Sequence, residues 1–271
     1  ISSPLLLFGG AYSNLQATNA LIEETERRDI PPDQVICTGD IVAYCGDPQE
    51  TTTAIREWGC HVVMGNCEES IAFDKQDCGC GFEKESLCAS LSVDWYSLAL
   101  QQVDPENKLW MRRLPRQINF SFGAKHFAVI HGSIDNISEF IFDSSSTARK
   151  RASLLGLEVD CVVGGHCGIP FGQSIGRQYW LNPGAIGMPA NDGTSSTWYM
   201  LLQSFEDKIR ASWHTLRFNT QETVRAMSSR GLPMDYQATL ESGLWPSMSV
   251  LPEISARRQG IALHPPALLV T

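Results

Sequence analysis

Apolar runs of strand length alternate with stretches of helical period through the first half of the chain. "LLLF" (5–8) precedes "NLQATNALIEETERRD" (14–29), where Leu15, Ala20 and Leu21 share a face, Asn14 is placed to cap, and Pro31-Pro32 forbids continuation. "QVICTGD" (34–40) and "HVVMGN" (61–66) read as further strands, with "PQETTTAIREWG" (48–59) as the helix between them. This is the rhythm of βαβ units around a largely parallel sheet, an α/β class of fold. From 68 to about 115 the pattern turns helical, carrying Trp95, Tyr96, Leu98, Trp110 and Met111, and predicts a helical insert or lid over the sheet edge.

The second half is richer in strands: "QINFSF", "KHFAVIHGS", "CVVGGH", "QYWLN", "TWYMLLQSF" and "KIRASWHTLRF", with one helix near "STARKRASLLGLE". Antiparallel pairing of these runs predicts a second sheet stacked on the first. A helical stretch (220–245) follows, and the last roughly 25 residues are Pro-punctuated and patternless. The expected organisation is one domain over 1–240 and a C-terminal tail over 241–271.

Composition narrows the classes. At 271 residues, 43% hydrophobic and 19% charged, the chain reads as an ordinary soluble globular protein. Its net charge of −9 repels a nucleic-acid backbone or an anionic membrane surface, and the one basic patch, "RKRAS" (149–153), reads as a solvated helix face. No apolar run approaches the roughly 20 residues that span a bilayer, so a cytoplasmic protein without nucleic-acid or membrane partners is expected, open to homo-oligomers. Nine cysteines is an odd number, and disulfide frameworks belong to small secreted domains, so most should be free thiols.

Candidate chemistry gathers in five strand-end loops: "GGAYSN" (9–14), "GDIVAYCGDP" (39–48), "GNCEES" (65–70), "HGSID" (131–135) and "GGHCG" (164–168). Open α/β sheets bind ligands outside the carboxyl ends of their strands. Asp40, Asn66, His131 and His166 offer a carboxylate, an amide oxygen and two imidazoles, a donor set suited to one divalent transition metal such as Mn, Fe or Zn. The plainer alternative is that both histidines are hydrogen-bonded loop residues.

In this order and spacing the loops resemble the calcineurin-like metallophosphoesterase superfamily, near its small bacterial branch, whose motifs are D-x-H, G-D, G-N-H-[DE], a later H-G, and G-H-x-H. "LNPGAIGMPANDGTSSTWYMLL" (181–202) is similar to the family's Asn-Pro-Gly segment, and the resemblance covers roughly residues 5 to 240. It implies a four-layer αββα sandwich of two mixed β-sheets with a helical insert. It also implies a hydrolase of phosphoesters or phosphoanhydrides that uses two metals and an activated water, with a small phosphorylated molecule as substrate.

Matched position by position, Asp40, Asn66, His131 and His166 complete one of the family's two metal sites, with His131 also counted as catalytic. The other site is degenerate, because Gly10 and Tyr12 stand where D-x-H has Asp and His, and Gly168 stands for the last His of G-H-x-H. Cys67 replaces the histidine that serves as general acid. A second metal is therefore not expected from the usual ligands.

Two readings remain open at this stage. In one, a single metal supports hydrolysis, with Cys67 a weak stand-in for the acid. In the other, the chain is a catalytically impaired scaffold that binds a ligand or a soft metal through a remodelled site of Cys67, Cys78, Cys80, Cys88 and Cys167; thiolates favour Fe, Zn or Cu(I). The plainer account makes these reduced thiols in a Gly-containing turn, with Cys37, Cys60 and Cys161 as small core residues and Cys45 open to either account. Tyr12 either donates its phenol to a bound phosphate or fills the vacated volume, and Ser13 and Asn14 offer backbone N–H groups to an anion.

Overall fold

The computed structural model describes residues 4–271. In β1 (Leu5–Phe8) every side chain is buried, so the strand is covered on both faces. Leu5 and Leu7 point into one apolar cluster and Leu6 and Phe8 into another, the period-two alternation that lets one strand serve two layers. β1 pairs in parallel with β2 (Val35–Cys37), and β2 with β3 (His61–Val62). On its other edge β1 runs antiparallel to β9 (Thr197–Phe205), followed by β10 (Lys208–Leu216) and β11 (Leu268–Val270), giving a mixed six-stranded sheet. The second sheet has five strands, β4 (Gln117–Phe122), β5 (Lys125–Ile130), β6 (Cys161–Val163), β8 (Gln178–Asn182) and β7 (Phe171–Ile175), in that order.

Three clusters separate four layers. Leu7, Ile36, Phe127, Val129, Cys161 and Met200 pack between the sheets. Leu6, Phe8 and Cys37 face outward against α1 (Leu15–Arg27) and α2 (Pro48–Trp58), and Ala128, Val162 and Trp180 lie on the far face with Leu154 of α6 (Thr147–Gly156). The result is the expected αββα sandwich. α1 begins where the Asn14 side chain accepts from the Ala17 N–H, and α2 ends at Gly59, whose φ of 76° suits a residue without a Cβ.

Four features depart from the sequence reading. Strands 197–216, expected in the second sheet, complete the first, because β9 lies against the free edge of β1 and buries its first six residues. β7 carried no clear alternation, yet it forms a hairpin with β8 across Gly176-Arg177. The helical segments α3 (Asn66–Ala72), α4 (Leu87–Gln102) and α5 (Pro105–Met111) pack Trp95, Tyr96 and Met111 into the outer cluster of the first sheet rather than over its edge. Residues 241–271 contain α9 (Glu253–Ala256) and β11, which pairs with β10 and buries Val270. The helices α7 (Thr220–Ser229) and α8 (Met234–Ser242) also join the outer cluster, through Met227 and Leu240. No helix among the described residues is long and apolar enough to cross a membrane.

Candidate metal centre

The carboxyl ends of β1, β2, β5 and β6 and the loop after β3 converge. Asp40 follows β2 with φ of 58°, and His166 follows β6 with φ of 52°. Left-handed backbone at non-glycine residues is uncommon, and it clusters at functional sites held in place by their surroundings. The loops approach so closely that glycines are required: a Cβ on Gly39 would lie 2.8 Å from His131 Nδ1, and one on Gly65 would lie 2.6 Å from the backbone nitrogen of Asp40.

Four donor atoms meet there. His131 Nε2 lies 3.2 Å from Asp40 Oδ2, 3.1 Å from Asn66 Oδ1 and 3.1 Å from His166 Nδ1, and His166 Nδ1 lies 3.8 Å from Asp40 Oδ2. An ion with tetrahedral ligands about 2.1 Å away spaces them about 3.4 Å apart, so this donor set fits a single small transition metal. Among the described residues, Asp40, His131 and His166 form the group of three His, Cys, Asp or Glu side chains whose ligand atoms come within 4.8 Å of one another.

Partners behind the donors fix their orientation. His131 Nδ1 sits 2.7 Å from the Thr38 carbonyl and donates its proton there, which turns Nε2 toward the centre as the atom that would bind a cation once it gives up its own proton. Asn66 donates Nδ2–H to the Cys78 carbonyl at 2.9 Å, which turns Oδ1 inward. A carboxylate oxygen, an amide oxygen and an imidazole nitrogen thus converge on one point, where either a proton on His131 or a bound cation satisfies them.

Charge in the site is shared accordingly. Burial works against ionised Asp40, but His131 and then His166 hold its carboxyl well below the usual range. Burial also works against a charged His131, and the Asp40 carboxylate outweighs it and raises the imidazole above its ordinary value. His166 is lowered, by burial first and also by His131, against the raising effect of its bond with Asp40, so of the two imidazoles His131 holds a proton the more firmly.

Glu68 went unnoticed in the sequence and is central to this scaffold. Its fully buried carboxylate accepts from the backbone N–H groups of Gly65 (2.9 Å), Asp40 (2.8 Å) and Ile41 (2.7 Å), tying the loop after β2 to the start of α3. Burial, and then Asp40, push it up to about 7. The signal was its place, two residues after Asn66 in "GNCE".

Tyr12, with φ of 52°, is 6% exposed and folds back over Gly10, where an added Cβ would meet Tyr12 Cζ at 2.4 Å. A Cβ on Gly168 would lie 3.2 Å from the Tyr12 hydroxyl, so one ring stretches between the two glycines at which the family resemblance expects metal ligands. Burial and the nearby Asp40 raise the phenol far above its usual value, which keeps it neutral. Ser13 and Asn14 are bonded within the fold: Ser13 Oγ accepts from Ala43 N–H, Ser13 N–H donates to the Ile41 carbonyl, and Asn14 Nδ2 donates to the Gly187 carbonyl.

Of the five cysteines expected as soft ligands, three gather behind Asn66. The sulfurs of Cys67 and Cys80 each lie 3.4 Å from Asn66 Nδ2, and Cys78 and Cys80 are joined by a disulfide across Gly79. Cys67 is fully buried, and burial followed by Asp40 and Glu68 pushes its thiol well up. Cys88 lies on α4 beside Ser249, and Cys167 accepts from Asn182 Nδ2 at 3.2 Å, both apart from the other three.

Comparison with known proteins identifies the family and the fold. Residues 11–206 match the model of the calcineurin-like phosphoesterase superfamily domain. An uncharacterized protein of Methanocaldococcus jannaschii is 25% identical over 232 residues, covering 77% of this chain and 86% of its own. Among solved structures, a metallophosphoesterase from Sphaerobacter thermophilus has a TM-score of 0.71 at 19% identity, covering 90% of this chain and 100% of its own. A hypothetical protein from Pyrococcus horikoshii has 0.74 at 16% identity, with 90% and 99% covered. These two structures share the fold.

Proposed function

The chain belongs to the calcineurin-like phosphoesterase superfamily, and from that premise we propose that it hydrolyses a phosphoester with one metal in place of two. The observation that carries this reading is the four-donor cluster of Asp40, Asn66, His131 and His166, with His131 and Asn66 oriented from behind and neighbouring donors 3.1–3.8 Å apart. Mn, Fe or Zn suits this donor set. A divalent ion held there would supply Lewis acidity, polarising a phosphoryl oxygen and lowering the pKa of water.

The protein's own residues do the remainder. Thr38 and Cys78 present the donors through their carbonyls, and Glu68 holds the Asp40 loop. Tyr12 excludes water from the blocked half and stands beside the substrate space with a neutral hydroxyl. Cys67, buried with its proton held, takes the place of a general acid without reaching solvent.

The test is turnover of 4-nitrophenyl phosphate by the chain loaded in turn with Mn, Fe and Zn. Turnover with at least one metal that vanishes in His131→Ala supports the proposal. The ring of Tyr12 across the former second site favours a second reading, in which the same donor set holds a metal in a binding scaffold. Metal retention without turnover on any phosphoester would select that reading.

A further inference from the structure

A cleft opens beside His166, one of the proposed metal ligands. His166, Tyr12 and Gly168 line it on the side of the centre, and Trp245 and Pro246 of the C-terminal segment contribute another part of its wall. Two series of ring contacts border it. Tyr44 lies 4.8 Å from both Tyr12 and Tyr236, and Phe140 lies 4.2 Å from His166 and 6.4 Å from Phe82, centroid to centroid. No Asp, Glu, Lys or Arg side chain is among the lining residues. Its hydroxyls are those of Tyr12, Tyr44, Tyr236, Thr239 and Ser247, and the Thr239 hydroxyl donates to the Asp235 carbonyl at 3.0 Å.

Given the phosphoester reading, on which this rests, we propose that the substrate is a phosphomonoester of an uncharged phenol whose flat aromatic part occupies this cleft. A second phosphate would bury further charge against walls that offer no Lys or Arg to pair with it. An aromatic ring instead gains offset and edge-to-face contacts. The leaving-group chemistry points the same way. Water's oxygen bonds to phosphorus, the P–O(aryl) bond breaks with its electron pair on the phenolic oxygen, and the proton released from water ends on phosphate or phenolate. A phenolate, whose acid has a pKa near 10, departs without the proton that an alkoxide demands. Cys67, fully buried in the general-acid position, is poorly placed to give that proton.

The experiment compares 1-naphthyl phosphate with glycerol 3-phosphate on the metal-loaded chain, measuring both affinity by titration calorimetry and kcat/KM. At least tenfold tighter binding of 1-naphthyl phosphate is expected, reduced several-fold in Trp245→Ala. If the preference in binding appears without turnover, the cleft assignment stands and the hydrolase reading falls. If both esters bind alike, or neither binds, the cleft assignment is overturned, and turnover of both at equal kcat/KM would leave the hydrolase reading intact.

Discussion

The ring of Tyr12 and the backbone of Gly10 share a space that admits no further side chain, since a Cβ on Gly10 would lie 2.4 Å from Tyr12 Cζ. Gly10→Asp alone therefore should not create a metal ligand and should destabilise the loop. The combined change Gly10→Asp, Tyr12→His, Gly168→His and Ala185→Gly removes the ring and the Ala185 methyl, which a Cβ at position 10 would meet at 2.8 Å, and supplies three donors. It should raise bound metal from one ion per chain to two, at a cost of about 1–2 kcal/mol for each side chain placed at positive φ. Elemental analysis and a thermal melt read the two effects separately.

Glu68→Gln replaces a carboxylate that accepts three backbone N–H bonds by an amide with a single acceptor oxygen. Bonds to a buried charged acceptor are worth more than neutral ones, so stability should fall by about 2 kcal/mol. Metal affinity should fall about tenfold, because Asp40 loses the partner that fixes its loop. Denaturant melts and metal titration check the two, and unchanged affinity would remove Glu68 from the positioning role.

Metal binding must displace a proton from His131, whose imidazole Asp40 raises above its ordinary value despite burial. The apparent affinity should thus be constant above that raised pKa and weaken by up to about tenfold per unit as pH falls below it, beginning above the free-imidazole value of about 6.5. Competition with a chromogenic chelator at stepped pH measures the slope. An affinity that rises on acidification would contradict the protonation pattern.

Thiol counting tests the cysteine arrangement. Seven cysteines are free, and all but Cys60 are buried. The native chain should therefore react slowly with a thiol reagent at no more than about one site, since the thiolate is the reactive form and burial suppresses it. Unfolding without reductant should expose seven thiols, and unfolding with reductant all nine. Nine without reductant would place Cys78 and Cys80 as a dithiol.

Local pattern made most of the fold legible. β1, α1, β2 and α2 follow from alternation, the Asn14 cap and Gly59, all of which act over a few residues. The partner of β1 was not legible, because "TWYMLLQSF" is apolar enough for either sheet and only the edge of β1 decides. β11 was hidden for a related reason: three residues become a strand only once β10 offers its hydrogen bonds. In the site, Asp40, Asn66, His131 and His166 were legible from their loops, and the structure brings them together. The role of Glu68 was not, since its partners are backbone groups and only its place in "GNCE" marked it. Nor was the path of the Tyr12 ring, which depends on a positive φ and on two distant glycines.

The single-site centre is tested most directly by metal content per chain, measured by elemental analysis on the purified protein and on His131→Ala and Cys80→Ser after equilibration with Mn, Fe or Zn. The expected result is one ion per chain in the native protein, one in Cys80→Ser and none in His131→Ala. Two ions in the native protein, none in any form, or an ion kept by His131→Ala and lost by Cys80→Ser would contradict a centre built on Asp40, Asn66, His131 and His166.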